Sequence, residues 1–286
     1  MRWIVGIDSH ERSDGAVRMA AWLRSHSRGD SPAELVAVHV IDERLRDSLQ
    51  AMSEVLAETR KMIASAAARC SVPDPFTDVH VVLAPSAEAG LARAATGPGV
   101  DGLIIGRIAP REGNRLVRLG SVARRVLREL PAPVLVVPPD LGENEIGEGG
   151  IVLATDLDDT SIAAARFTAR LASELGRDLV ATHMDPARDF GHDLLGDRTI
   201  LAAWTPRRTP VDVERWVREN EIPASRTHLV EDAVVEGLLA VAHHEKAAIL
   251  ACGSRRLGTV DRIFTSSVGT DLARLADRPV LVVPTP

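Results

Sequence analysis

Two glycines frame the stretch of this chain best suited to hold an anion. Gly106 ends the apolar run Leu103–Ile105, Gly120-Ser121 opens a helical pattern that closes before Pro133, and Arg107, Arg111, Arg115 and Arg118 lie between them. A glycine at a strand end lets the backbone pass close to a ligand, and unpaired N–H groups at a helix start attract negative charge. The pattern supports a phosphate site, and it also describes a tight turn with Ser121 as helix cap. Each arginine is either a partner for a phosphate oxygen or a solvated loop residue.

Other candidates are weaker. Asp8 follows an apolar run that starts at Trp3, where its carboxylate can accept from a ligand hydroxyl or cap the next helix. His39 and His183 hold matching places on two apolar runs and read as hydrogen-bonded structural histidines. His243 and His244 are adjacent and so do not share a helix face as two metal ligands would. Asp156, Asp158 and Asp159 precede a helix, where acidic residues complement the dipole or attract Mg²⁺. No GxxxxGK(S/T), GxSxG or HExxH motif occurs, no GxGxxG follows a strand to open a helix, and no nucleophile is paired with a base.

The 286 residues suit about two soluble domains, with apolar material for two cores, and the net charge of −6 argues against general nucleic-acid binding. Cys70 and Cys252 fall one in each half without a CxxC, so neither a disulfide framework nor a zinc site is indicated. Residues 1–10 carry no leader pattern, and no apolar run approaches the roughly 20 residues that span a bilayer, so a cytoplasmic location and no membrane partner are expected.

These residues need elements to position them. Strands are read at Trp3–Asp8, Leu35–Val40, Val79–Leu83 and Gly102–Gly106, with helices from Ser13-Asp14, over Asp47–Cys70 and over Ser86–Thr96. This alternation predicts a parallel sheet covered on both faces. The acidic, Gly-rich segment Leu141–Gly150 reads as a linker between domains 1–140 and 151–286. Beyond it Ile151–Asp156 repeats the first strand, Thr160 is placed to cap a helix, and PVLVVP at Pro133–Pro138 returns letter for letter at Pro279–Pro284. Asp185–Arg208 breaks the parallel, with Phe190, Leu194, Leu195, Ile200 and Trp204 outside a clear helical face. Such a segment suits a lid or a homodimer contact.

Two copies of strand–Asp, strand–His–apolar and strand–Gly–loop–(Gly/Ser)-Ser-Val–helix–PVLVVP resemble a tandem universal stress protein over essentially the whole chain. The resemblance implies an α/β fold of two open five-stranded parallel sheets in the order 3-2-1-4-5, adenine nucleotide alpha hydrolase-like, with a crevice at the carboxyl ends of strands 1 and 4. It implies antiparallel pairing of the closing strands Val134–Val137 and Val280–Val283. It also implies a stress-response protein that takes ATP, with or without Mg²⁺, or another adenine nucleotide as a regulatory ligand, with at most slow hydrolysis. The ligand positions so implied are Gly6, Asp8, Val40, Ile105 and Gly106 on the strands, and Arg107, Ala109, Gly120, Ser121 and Val122 on the loop and helix.

ATP-binding members share G-x2-G-x9-G-(S/T), and this chain departs from it. In the first half Ala109 replaces the second glycine and the spacing is one residue longer; in the second, Arg256 replaces that glycine and Ser266-Ser267 replaces Gly-Ser. Binding is therefore expected in the first half alone. The alternative is a nucleotide-independent dimerisation or scaffold protein with both crevices degenerate.

Overall fold

The computed structural model describes residues 1–28, 32–48, 52–108, 119–185, 207–255 and 267–285. Ala109, Arg111, Arg115, Arg118, Arg256, Ser266 and nearly all of the irregular 185–208 segment lie outside the described residues.

The first half runs β1 (Arg2–Gly6), α1 (Asp14–His26), β2 (Glu34–Asp42), α2 (Met52–Arg69), β3 (Asp78–Ala84), α3 (Ala87–Ala95), β4 (Gly102–Gly106), α4 (Ser121–Glu129) and β5 (Val134–Val137). The second runs β6 (Ile151–Ala154), α5 (Ile162–Leu175), β7 (Leu179–Asp185), α6 (Pro210–Glu219), β8 (Arg226–Glu231), α7 (Val234–His244), β9 (Ile249–Arg255), α8 (Val268–Leu275) and β10 (Val280–Thr285). The central strands are buried residue after residue, Val134–Val137 on all four positions, because helices cover both faces. Two buried clusters result, one on each face of the sheet.

The strand order is β3-β2-β1-β4-β5-β10-β9-β6-β7-β8, so each half keeps the order 3-2-1-4-5. The two sheets are not separate. β5 and β10 pair antiparallel, with Leu135 opposite Leu281 and Val134 opposite Val282, and make one ten-stranded sheet. The seam continues into side chains: Phe167 meets Trp3 edge-on at 6.3 Å, Arg170 bonds Asp101 at 2.9 Å, and the Arg28 N–H donates to the Glu174 carbonyl at 2.7 Å.

Several local expectations need correcting. The helix expected over Asp47–Cys70 is a 3₁₀ turn at Glu43–Ser48 followed by α2, which starts at Met52. Ser13 does not cap α1, because its hydroxyl donates to Asp8 at 2.8 Å, and Asp14 is buried against the Arg69 guanidinium, 2.9 Å from Nε. In the second half the cap is Asp158 rather than Thr160; its Oδ1 accepts from the Ser161 N–H at 2.9 Å. The Leu141–Gly150 segment is no free tether, since Leu141 and Ile146 are both buried in the core. Ser86 does cap α3, accepting from the Ala89 N–H at 3.3 Å, and Pro210 opens α6.

Candidate functional site

A cavity of about 230 Å³ opens at the carboxyl ends of β1, β2 and β4, where the strand order reverses. Its floor is Gly6, Val38, Val40 and Ile105; α3 supplies Ala87 and Leu91, and α4 supplies Ser121 and Val122. Gly6 matters to the shape, since a Cβ there would stand 3.0 Å from Leu91 and 3.3 Å from Ile105. The volume is below the roughly 300–1,000 Å³ of a typical drug-sized site and suits a compact, largely apolar group.

Polar groups sit on the rim. Asp8 Oδ1 accepts from the Ser13 hydroxyl at 2.8 Å and the His10 N–H at 2.9 Å, while Arg12 Nε donates to Oδ2. The carboxylate is thus a turn residue that organises its own loop, and it also lines the cavity. The His39 ring reaches the cavity too, but its Nδ1–H is committed to the Ile7 carbonyl at 2.9 Å. His183 repeats this bond to the Thr155 carbonyl at 2.7 Å, so both histidines are structural.

The two glycines are required by the chain itself. A Cβ on Gly106 would lie 1.9 Å from the Arg12 carbonyl, so this glycine seats the β1–α1 turn on the end of β4. Gly120 has φ +76° and ψ 168°, a backbone that side chains disfavour, and a Cβ there would meet the Ile108 side chain at 2.6 Å. Ser121 is the first residue of α4 rather than its cap, and no side-chain cap is made by Gly120. Helix starts of this kind present backbone donors to an anion.

Arg107 is the clear misplacement. Although it follows Gly106 directly, its side chain crosses to the other half, is 1% exposed, and Nη1 donates to the carbonyls of Ala273, Arg274 and Ala276 at the end of α8. It is absent from the cavity wall, and its guanidinium instead meets the carbonyls that the end of α8 leaves without intrahelical donors. Of the expected positions, Gly6, Asp8, Val40, Ile105, Gly106, Gly120, Ser121 and Val122 come together, Arg107 does not, and Ala109 is outside the described residues. Arg12 was missed; its i, i+4 spacing from Asp8 was the available signal.

The corresponding place in the second half is built differently. Ala154 stands for Gly6, Cys252 for Ile105 and Met184 for Val40. Met184 is buried and lies flat on α7, its Cε 2.1 Å from where a Cβ of Gly237 would be. Ser267 caps α8, its hydroxyl oxygen accepting from the Thr270 N–H at 3.2 Å. Burial raises the Cys252 thiol to about 12, so it behaves as a small apolar filler. Among the described residues no group of three or more His, Cys, Asp or Glu is gathered closely enough to hold a metal ion.

Comparison with known proteins agrees with this architecture. A universal stress protein of Mycolicibacterium smegmatis is 27% identical, over 98% of this chain and 96% of its own. The crystal structure of a universal stress protein from Archaeoglobus fulgidus covers 99% of this chain and 98% of its own, with TM-score 0.68 and 18% identity. A functionally unknown protein from Pseudomonas aeruginosa PAO1 covers 99% and 92%, with TM-score 0.61 and 14% identity. The universal stress protein family model matches residues 1–138 and again residues 150–284, and the chain therefore belongs to that family, with the unit present twice.

Proposed function

We propose that this protein binds an adenine nucleotide in the crevice of its first half, and there alone, as a regulatory ligand in a stress response. The observation that carries the reading is the contrast between the two halves. In the first, glycine at position 6 and valine at position 40 line a cavity beside a helix start without a side-chain cap; in the second, the bulkier Ala154 and Met184 stand at the matching positions and Ser267 already caps α8. An apolar floor with a polar rim suits a flat heteroaromatic base carrying a sugar and an anionic tail. On this reading residues 1–140 and 151–286 are two domains, the second a partner for the first rather than a second site.

The test is calorimetry with ATP, with and without Mg²⁺, on the wild type, Val122→Trp and Val268→Trp, alongside mass spectrometry of the supernatant from freshly denatured protein. The expected result is one site, lost when tryptophan fills the first crevice and kept when it is placed at the start of α8. Two equal sites would refute the asymmetry. No binding and a clean spectrum would refute nucleotide binding and leave a scaffold.

A further inference from the structure

Phosphate recognition in the first crevice would ordinarily be sought in the arginines after β4, but the described one, Arg107, is spent on α8. Among the described residues that line the cavity the arginine is Arg12, on the 3₁₀ turn Glu11–Ser13 between β1 and α1. Its backbone is fixed, because the Arg12 carbonyl packs where a Cβ of Gly106 would be. Its side chain is fixed as well, because Nε donates to Asp8 Oδ2. The Asp8 bond uses Nε, no bond from Nη1 or Nη2 is made to another described residue, and the side chain is 44% exposed. A planar guanidinium held at one edge by a carboxylate has its remaining N–H donors set for an oxyanion.

We propose that Arg12 is the residue by which the first crevice recognises the phosphate of its ligand, and that Asp8 is a positioning residue that holds the guanidinium in place. The proposal rests on the nucleotide reading above. The second half supports it by contrast: at the place of Arg12 stands Thr160, whose hydroxyl donates to Asp158 at 2.8 Å, so that turn offers no cation. Gly253, at the place of Gly106, is packed by Thr285 and Ala164 instead of a turn carbonyl.

The experiment compares the affinities for adenosine and for AMP by calorimetry in the wild type, Arg12→Gln, Arg12→Lys and Asp8→Asn, with thermal melting as a check on folding. The readout is the ratio of AMP to adenosine affinity and its dependence on salt. Losing charge-assisted bonds to phosphate corresponds to about 10- to 100-fold, so Arg12→Gln is expected to lower the ratio by that factor and to remove most of its salt dependence. Lysine keeps the charge without the fork and restores the ratio in part; Asp8→Asn lowers it with the arginine still present. An unchanged ratio in Arg12→Gln, or an equal loss for both ligands, overturns the role of Arg12. An equal loss of both ligands in Asp8→Asn overturns the positioning role. Failure of the wild type to bind either ligand overturns the nucleotide reading itself, whereas equal wild-type affinities for the two overturn this inference alone.

Discussion

Replacing Arg107 with methionine tests a buried set of hydrogen bonds between the two halves. Nη1 lies 3.2, 3.1 and 2.7 Å from the carbonyls of Ala273, Arg274 and Ala276, the orphan acceptors at the end of α8. One nitrogen carries two protons, so the three contacts count as about two charge-assisted bonds of about 1.5–3 kcal/mol each. Desolvating a cation that is 1% exposed offsets part of this. Methionine preserves the apolar stem but leaves the carbonyls uncapped, giving an expected loss of about 2–4 kcal/mol. For a chain of this size that is a fall in Tm of about 3–7 °C. Guanidinium titration followed by far-ultraviolet circular dichroism, at unchanged m-value, measures it; Arg107→Lys should fall between wild type and methionine. A loss under about 1 kcal/mol would refute the argument and make Arg107 a packing residue.

Three further outcomes follow from buried groups. Burial raises the Cys70 thiol to about 11 and the Cys252 thiol to about 12, so a thiol reagent at pH 8 should label neither in the native protein and both in denaturant. Burial works to raise the Glu88 carboxyl, but bonds from its own backbone N–H, Arg125 and Ser86 outweigh it and hold the carboxyl below its ordinary 4.5. A depressed folded value means the stability from Glu88 is present above 4.5 and is lost as pH falls below it, so acid denaturation of Glu88→Gln should be less steep in that window. Gly106→Ala places a methyl 1.9 Å from the Arg12 carbonyl and should cost roughly 2–4 kcal/mol, read by thermal melting.

Much of this fold is written in short-range pattern. PVLVVP carried both the duplication and the seam, because a strand buried on both faces must be apolar at every position. The helix expected over Ser86–Thr96 is present as α3, Ala87–Ala95, behind its Ser86 cap. What escaped depended on partners distant in sequence. The destination of Arg107 is 166 to 169 residues away, and nothing local distinguishes it from its neighbours. Gly106 and Gly120 were read as framing an anion site or a tight turn, and the close neighbours they accommodate within the chain are the Arg12 carbonyl and the Ile108 side chain. Leu141 and Ile146 were lost in an acidic, glycine-rich stretch whose composition hides two core residues.

The antiparallel join of β5 to β10 also has a consequence in time. Val134 and Val282 are partners, yet the second is synthesised 148 residues after the first. At about 5–20 residues per second, the first half waits on the order of 10–30 s with every residue of β5 apolar and its outer edge unpaired. During that interval the nascent chain exposes a strand that can pair with any similar edge, including β5 of a neighbouring chain on the same message. The same four residues that later close the molecule are thus an aggregation hazard during translation, and the protein's yield should respond to elongation rate and to chaperones that cover β5 until β10 arrives.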